Sequence, residues 1–103
     1  MSPPYELKEV RSFVMVSKAG SISRAATEFN IPKATISNHL RRLEDSLEVE
    51  LFTRQSRGLT LTDAGKQFLE HAQAIFDSCD VATVAAQRAH GTLSGTLRVA
   101  ASS

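Results

Sequence analysis

The residues best suited to chemistry in this 103-residue chain are hydrogen-bonding side chains on one short segment, followed by two arginines. Lys33, Ser37 and Arg41 recur at helical spacing on this segment, with Ala34 and Asn38 alongside. The major groove of DNA presents donors and acceptors that suit such side chains. Arg54 and Arg57 follow, and arginine pairs with phosphates or lies in a narrow minor groove.

Catalytic and metal-binding chemistry finds little support in the sequence. His39, His71 and His90 lack the spacing of a metal cluster, and the single cysteine, Cys79, cannot complete a zinc site. Ser37 has no base and orienting group arranged to make it a nucleophile. We therefore predict no enzyme activity, no metal and no cofactor. We expect His39 to lie at the surface or to pack at a boundary, with a phosphate contact as the alternative.

Two short helices joined by a tight turn would position the polar segment. The first has an apolar stripe, with Ser21 as N-cap and Asn30 as the left-handed residue that ends it. This stripe consists of Ile22, Ala25, Ala26 and Phe29. Pro32 suits the first turn of the second helix, predicted over about residues 33–47. Its own buried stripe consists of Ile36, Leu40, Leu43 and Leu47.

A small hairpin follows the second helix of the turn. Residues 51–54 and 59–62 are rich in apolar and β-branched side chains, as strands are, and residues 55–58 form the turn. An additional first helix is predicted from about Tyr5 to Lys18, with Gly20 marking its end. It would pack behind the two helices of the turn. Its predicted buried side consists of Leu7, Val10, Phe13, Val14 and Ser17. We therefore predict a mainly α fold: a winged helix-turn-helix with a three-helix core and a two-stranded wing, which holds a helix in the major groove.

A long helix is predicted after the wing, over about Lys66 to His90, with Thr62 as its cap and Asp63 in its first turn. It would reach roughly 40 Å, more than a small domain can cover. A seam of apolar and small residues predicts a partner helix, the alternative being packing on its own domain. The predicted dimer interface consists of Phe68, Ala72, Ile75, Phe76, Cys79, Ala82 and Ala86.

The remaining residues, 91–103, contain a glycine-flanked stretch, Gly91–Gly95, that we expect to break the helix as a hinge. Thr96–Ala100 alternates as a strand does. The predicted organisation is thus a DNA-binding domain over residues 1–62, a dimerisation helix over 63–90, and a hinge with the start of a further domain over 91–103.

These motifs together resemble the N-terminal part of LysR-type transcriptional regulators. The matching segments are Phe13–Val14, Gly20–Ala26, Leu43–Glu44, Leu51–Phe52 and Leu59–Gly65, with Ser37, Arg54 and Arg57. The resemblance implies a sequence-specific regulator that binds double-stranded operator DNA as a homodimer through the linker helix, usually antiparallel. It also implies that full-length proteins are often tetramers, and that a small-molecule effector binds only a further domain beginning near residue 91.

The recognition surface divides into base-facing and backbone-facing residues. We predict that Lys33, Ala34, Thr35, Ser37 and Asn38 face bases, and that Ser21, Ser23, Arg24 and Arg41 face the backbone. Family members commonly carry Ser-Gln where this chain has Pro32-Lys33, and Arg-Gln where it has Asn38-His39. The half-site is therefore expected to differ from the usual one.

Composition is compatible with this interpretation. The net charge of +1 is lower than in most non-specific nucleic-acid binders, but the basic residues are concentrated in the predicted docking elements. The N-terminus has no secretory pattern, and no apolar run reaches membrane-spanning length, so a cytoplasmic protein without membrane contact is expected. Two alternatives remain: a winged-helix regulator of another family, such as the molybdate-responsive regulators, and a winged helix that binds protein. Loss of DNA binding on Arg54→Ala or Arg57→Ala would exclude the second.

Overall fold

The computed structural model describes residues 3–56 and 58–94. It contains four helices and two strands: α1 (Leu7–Ala19), α2 (Ile22–Phe29), α3 (Lys33–Leu47), β1 (Phe52–Gln55), β2 (Gly58–Leu61) and α4 (Asp63–Ser94). The chain divides into two compact units, Met1–Gln73 and Ala74–Ser103. The three-helix core, the antiparallel wing and the first turns of α4 lie in the first unit, as the predicted fold class requires.

Helix α1 is bounded by local signals. The Glu6 amide donates to the Glu9 carboxylate at 3.3 Å, and Gly20 ends the helix in a left-handed conformation at φ 90°. The predicted end is confirmed, while the helix begins at Leu7 rather than Tyr5. The prediction that Leu7 is buried is wrong, since this first helical residue is 49% exposed, and Val14 and Ser17 are only half-buried. Val10 and Phe13 are buried as predicted. Buried in addition are Glu9, Ser12, Met15, Val16 and Ala19.

The core lies where α1 packs on α2 and α3. Side chains with no exposed surface include Phe13 from α1, Ala25 from α2, and Ile36 and Leu43 from α3. The ring of Phe13 also lies 5.2 Å from the ring of Phe52 on the wing, measured between centroids. One aromatic side chain of α1 thus joins the helices to the wing, which fixes the wing beside α3.

The turn between α2 and α3 forms as predicted. The Arg24 amide donates to Ser21 Oγ at 3.1 Å, and Asn30 is left-handed at φ 55°. Pro32 is the N-cap of α3 rather than a residue of its first turn. Phe29, the last residue of α2, is 46% exposed. The buried stripe of α2 is therefore shorter than predicted.

The wing pairs Phe52 with Leu61 at its base and Gln55 with Gly58 at its tip. These last two residues therefore belong to the strands rather than only to the turn. A Cβ on Gly58 would lie 2.9 Å from the carbonyl oxygen of Gly20, and its φ of 133° disfavours other residues. The wing thus approaches the end of α1 closely because this position is glycine.

Helix α4 begins earlier and ends later than predicted. The Gly65 amide donates to Thr62 Oγ1 at 2.9 Å, which confirms the predicted cap, and Asp63 is the first helical residue. The predicted break at Gly91 is wrong, because α4 continues through it to Ser94. A single glycine costs a helix about 1 kcal/mol and does not by itself end it. The predicted strand Thr96–Ala100 lies outside the described residues.

Candidate nucleic-acid interface

Helix α3 has a buried face and a polar face. On the buried face, Ile36 and Leu43 have no exposed surface and Leu40 is 6% exposed. The base-facing candidates lie away from this face: Lys33, Ala34, Thr35 and Ser37 are exposed and Asn38 is half-buried. Because the core fixes one face, the polar face is held outward as a ridge. The predicted base-facing residues are therefore not part of the core, and their side chains are at least partly accessible from outside.

Two residues of this ridge contact each other. Arg41 Nη2 donates a hydrogen bond to Asn38 Oδ1, across one turn of α3. Residues three apart on a helix are surface neighbours, so the contact needs no distortion of the helix. Asn38 is half-buried and Arg41 is exposed. The two side chains thus form one polar unit on the surface of α3.

The wing adds a second basic element beside α3. Arg54 is exposed on β1, opposite Leu59 on β2. A groove of about 300 Å³ separates α3 from the wing. It is lined by Ile22, Ser37, Leu40, Arg41, Glu44, Phe52, Arg54 and Leu59. Two guanidinium groups therefore border the same groove, an arrangement suited to phosphate oxygens. Arg57, the second predicted wing arginine, lies outside the described residues.

Glu44 positions the wing, a role that the sequence analysis missed. Its Oε2 accepts hydrogen bonds from the amides of Leu51 at 2.7 Å and Phe52 at 3.3 Å. A carboxylate that accepts from backbone amides makes stronger hydrogen bonds than a neutral acceptor does. The link holds the start of β1 against α3. The resemblance includes Glu44, but nothing in its local sequence indicates which amides it binds.

The first turn of α2 presents the predicted backbone contacts. Ser23 and Arg24 are exposed there, and Ser21 is half-buried. The hydroxyl of Ser21 accepts from the Arg24 amide, so it caps the helix. Amide groups at a helix N-terminus favour anions, which suits a phosphate. The structure therefore gives Ser21 the role of capping the start of α2.

His39 packs at the boundary between α1 and α3, as expected. It is half-buried, and its Nδ1 shares a hydrogen bond of 2.7 Å with the hydroxyl of Ser12. Ser12 is 3% exposed, so this contact satisfies a buried hydroxyl. The bond links the helix that carries the polar ridge to the helix behind it.

The predicted dimer seam divides at the boundary between the two units. Ala72 has no exposed surface, and Phe68 packs edge-on against Phe13 at 5.5 Å, so these two residues serve their own domain. Ile75 and Phe76 are half-buried.

The second unit leaves the rest of the seam uncovered. Cys79, Ala82 and Ala86 are exposed. Val81 and Val84, which lie off this seam, are 69% and 48% exposed. An apolar helix surface of this kind is typical of a helix that packs on a partner.

Neither a metal-ion cluster nor a membrane-spanning helix is found in the part of the chain that the structure describes. Within residues 3–56 and 58–94, no group of three histidine, cysteine, aspartate or glutamate side chains is placed to hold a metal ion. No helix in that part of the chain combines the length and apolar character needed to cross a bilayer.

Comparison with known proteins identifies the family. The model of the bacterial regulatory helix-turn-helix proteins of the lysR family matches residues 7–66. The transcriptional regulator ShiR of Corynebacterium glutamicum is 36% identical over 94 residues, which cover 91% of this chain and 32% of ShiR. The chain thus spans about a third of the length of the curated relatives it matches.

Solved structures agree with this match. The CbnR DNA-binding domain, crystallised with DNA, is 30% identical with a TM-score of 0.77, covering 82% of this chain and 98% of that one. The BenM DNA-binding domain, crystallised with catB site 1 DNA, is 28% identical with a TM-score of 0.79, covering 82% and 96%. Four helices and a two-stranded wing are thus shared with these domains, and the chain belongs to the lysR family of bacterial regulatory helix-turn-helix proteins.

Proposed function

We propose that this chain binds double-stranded operator DNA in a sequence-specific manner, as the DNA-binding region of a transcription regulator. Helix α3 enters the major groove, and the wing lies on the flanking backbone or minor groove. The observation that carries the proposal is the polar ridge of α3, held outward by a fully buried opposite face. A helix of this kind fits the width of the major groove and offers its side chains to base edges.

Basic and capped elements beside α3 support this docking. Arg54 of the wing lines the groove next to α3, and Ile22, the first residue of the capped helix α2, lines the same groove. Phosphate contacts of this kind set the position of a protein on the duplex, whereas base contacts determine sequence. Ser21, Ser23, Arg24, Arg54 and Arg57 are therefore assigned to the backbone.

A homodimer would place two copies of α3 on two related half-sites. The exposed apolar surface of α4 in the second unit supports self-association. The interface we propose uses Cys79, Ala82 and Ala86, with Ile75 and Phe76 at its start. In the full-length protein, a small-molecule effector would act through a further domain, and the protein would work in the cytoplasm without catalytic activity.

The experiment that tests this function is selection of bound sites from a random DNA pool, followed by titration at several salt concentrations. We expect an enriched two-fold-related motif. Arg54→Ala should weaken binding to all sequences and reduce the salt slope by about one, because one phosphate contact is lost.

The matched control is Lys8→Ala, which removes a lysine already paired with Glu6 at 3.2 Å. It should leave both affinity and slope unchanged. A folded dimer that enriches no sequence would refute sequence-specific binding by these residues. It would favour the protein-binding alternative.

A further inference from the structure

We propose that Arg41 reads a guanine in the major groove and that Asn38 is the residue that positions it. This inference rests on the proposed DNA-binding function and goes beyond it by naming the base. It also revises the roles expected from the sequence, in which Asn38 faces a base and Arg41 the backbone. The hydrogen bond from Arg41 Nη2 to Asn38 Oδ1 is the observation that motivates it.

The bond changes what Asn38 offers to a base. Asparagine reads adenine with both ends of its amide: the oxygen accepts from the N6 amino group and the nitrogen donates to N7. In this structure the oxygen of Asn38 accepts from Arg41. A guanidinium beside that oxygen also repels the hydrogens of the adenine amino group. The Asn38–Arg41 unit therefore presents mainly donors to a base. This suits guanine, because its O6 and N7 are both acceptors.

Arg41 is available for this role because it forms no salt bridge with another residue of the part of the chain that the structure describes. Glu44 and Asp45 lie three and four residues further along α3, where an ion pair with Arg41 would be geometrically ordinary. Glu44 Oε2 instead accepts from the amides of Leu51 and Phe52. The guanidinium of Arg41 therefore keeps its charge and its remaining N–H donors for a partner outside the chain.

Asn38 gives the long arginine side chain a fixed direction. Asn38 is half-buried and short, so its own position is well defined, whereas Arg41 is exposed. A side chain that is already held in place loses less conformational freedom when it binds. Arginine is also suited to the bidentate contact with guanine, because its donors form a rigid planar fork.

The test is site selection from a random DNA pool with the unmodified chain and four variants. In Arg41→Lys the charge remains but the rigid fork is lost, and guanine preference at one position of the half-site should fall by about 5-fold, the lower end of the range of one bidentate contact, because lysine also donates to guanine O6 and N7. Asn38→Ala should lower the preference at the same position. Asn38→Asp keeps an acceptor for Arg41 and should retain guanine there, although its charge lowers overall affinity. The control Arg42→Lys should leave base preference unchanged.

The outcomes separate this inference from the function on which it rests. Two results would refute the inference that Arg41 reads a guanine while Asn38 positions it (the paired reading), although DNA binding would stand. One is that the unmodified chain selects adenine at the position altered by Asn38→Ala. The other is that the Asn38 and Arg41 variants alter different positions. The same holds if Arg41→Lys weakens all sequences equally, because Arg41 is then a backbone contact. If no sequence is selected by the folded dimer, the proposed function is refuted and the paired reading with it.

Discussion

The substitution Gly65→Ala tests how tightly α4 packs against the wing. A Cβ at this position would lie well inside contact distance of the Leu51 carbonyl oxygen and 3.0 Å from its carbonyl carbon. It would also lie 3.0 Å from Cδ2 of Leu61. The obstructing atoms are mainly backbone, so no rotamer change relieves the overlap. The start of α4 must move away from the wing instead.

The expected magnitude combines two opposing effects. Overpacking that the backbone must absorb typically costs about 1–3 kcal/mol, and a collision with a carbonyl group belongs at the upper end. Replacing a helical glycine by alanine returns about 1 kcal/mol. The net loss of unfolding free energy should therefore be about 2 kcal/mol. For a domain of this size, that corresponds to a fall in Tm of about 8–16 °C.

Urea and thermal unfolding, followed by circular dichroism, measure the change. The matched control is Gly91→Ala in the same helix, where an added Cβ meets no atom within 4 Å. It should raise helix stability by up to about 1 kcal/mol. If Gly65→Ala stabilises the protein as Gly91→Ala does, Leu51 does not lie against α4 and the packing argument is refuted.

Two further predictions concern the wing and the dimer. Glu44→Ala leaves the Leu51 amide without its acceptor and should cost about 2 kcal/mol in urea unfolding. Its control is Glu50→Gln: the Glu50 carboxylate is exposed and forms no hydrogen bond to the residues that the structure describes, so this change should cost less than about 0.5 kcal/mol. Equal effects would exclude the anchoring role of Glu44. Ala82→Glu places a charge in the proposed seam and should raise the dimer dissociation constant by about 100-fold or more in sedimentation equilibrium. The control is Val84→Glu, which lies off the seam. If only this variant dissociated the dimer, the interface would lie on the face of α4 that carries Val81 and Val84 rather than on the proposed seam.

Periodicity predicted the helices well but not the limits of their buried faces. Leu7 and Phe29 fit the apolar stripes of α1 and α2, yet both are exposed because they lie at the helix ends. Ser12 interrupts an apolar pattern, yet it is buried, since His39 of α3 satisfies its hydroxyl. A stripe indicates the direction that faces the core, whereas the neighbouring elements determine how far along the stripe burial extends.

For α4 too, the sequence predicted the helix but neither its end nor the neighbours of its apolar seam. Glycine at position 91 predicted a break, but helical hydrogen bonding continues to Ser94 because one glycine weakens a helix without ending it. The seam predicted from a repeat of three and four residues runs into the first unit. There Ala72 and Phe68 already pack on their own domain. Periodicity along a helix does not distinguish an intramolecular neighbour from a second chain.

The sequence alone determined the features that depend on nearby residues. The cap at Ser21, the left-handed Asn30 and the span of α3 follow from hydrogen bonds and dihedral preferences within a few residues, and they are observed as predicted. Tertiary structure alone decided which distant groups meet. Glu44 reaches the amides of Leu51 and Phe52, and Gly58 approaches Gly20, only after the helices pack. These contacts join residues whose local sequences carry no signal of one another, because burial and chain path, rather than propensity, bring them together.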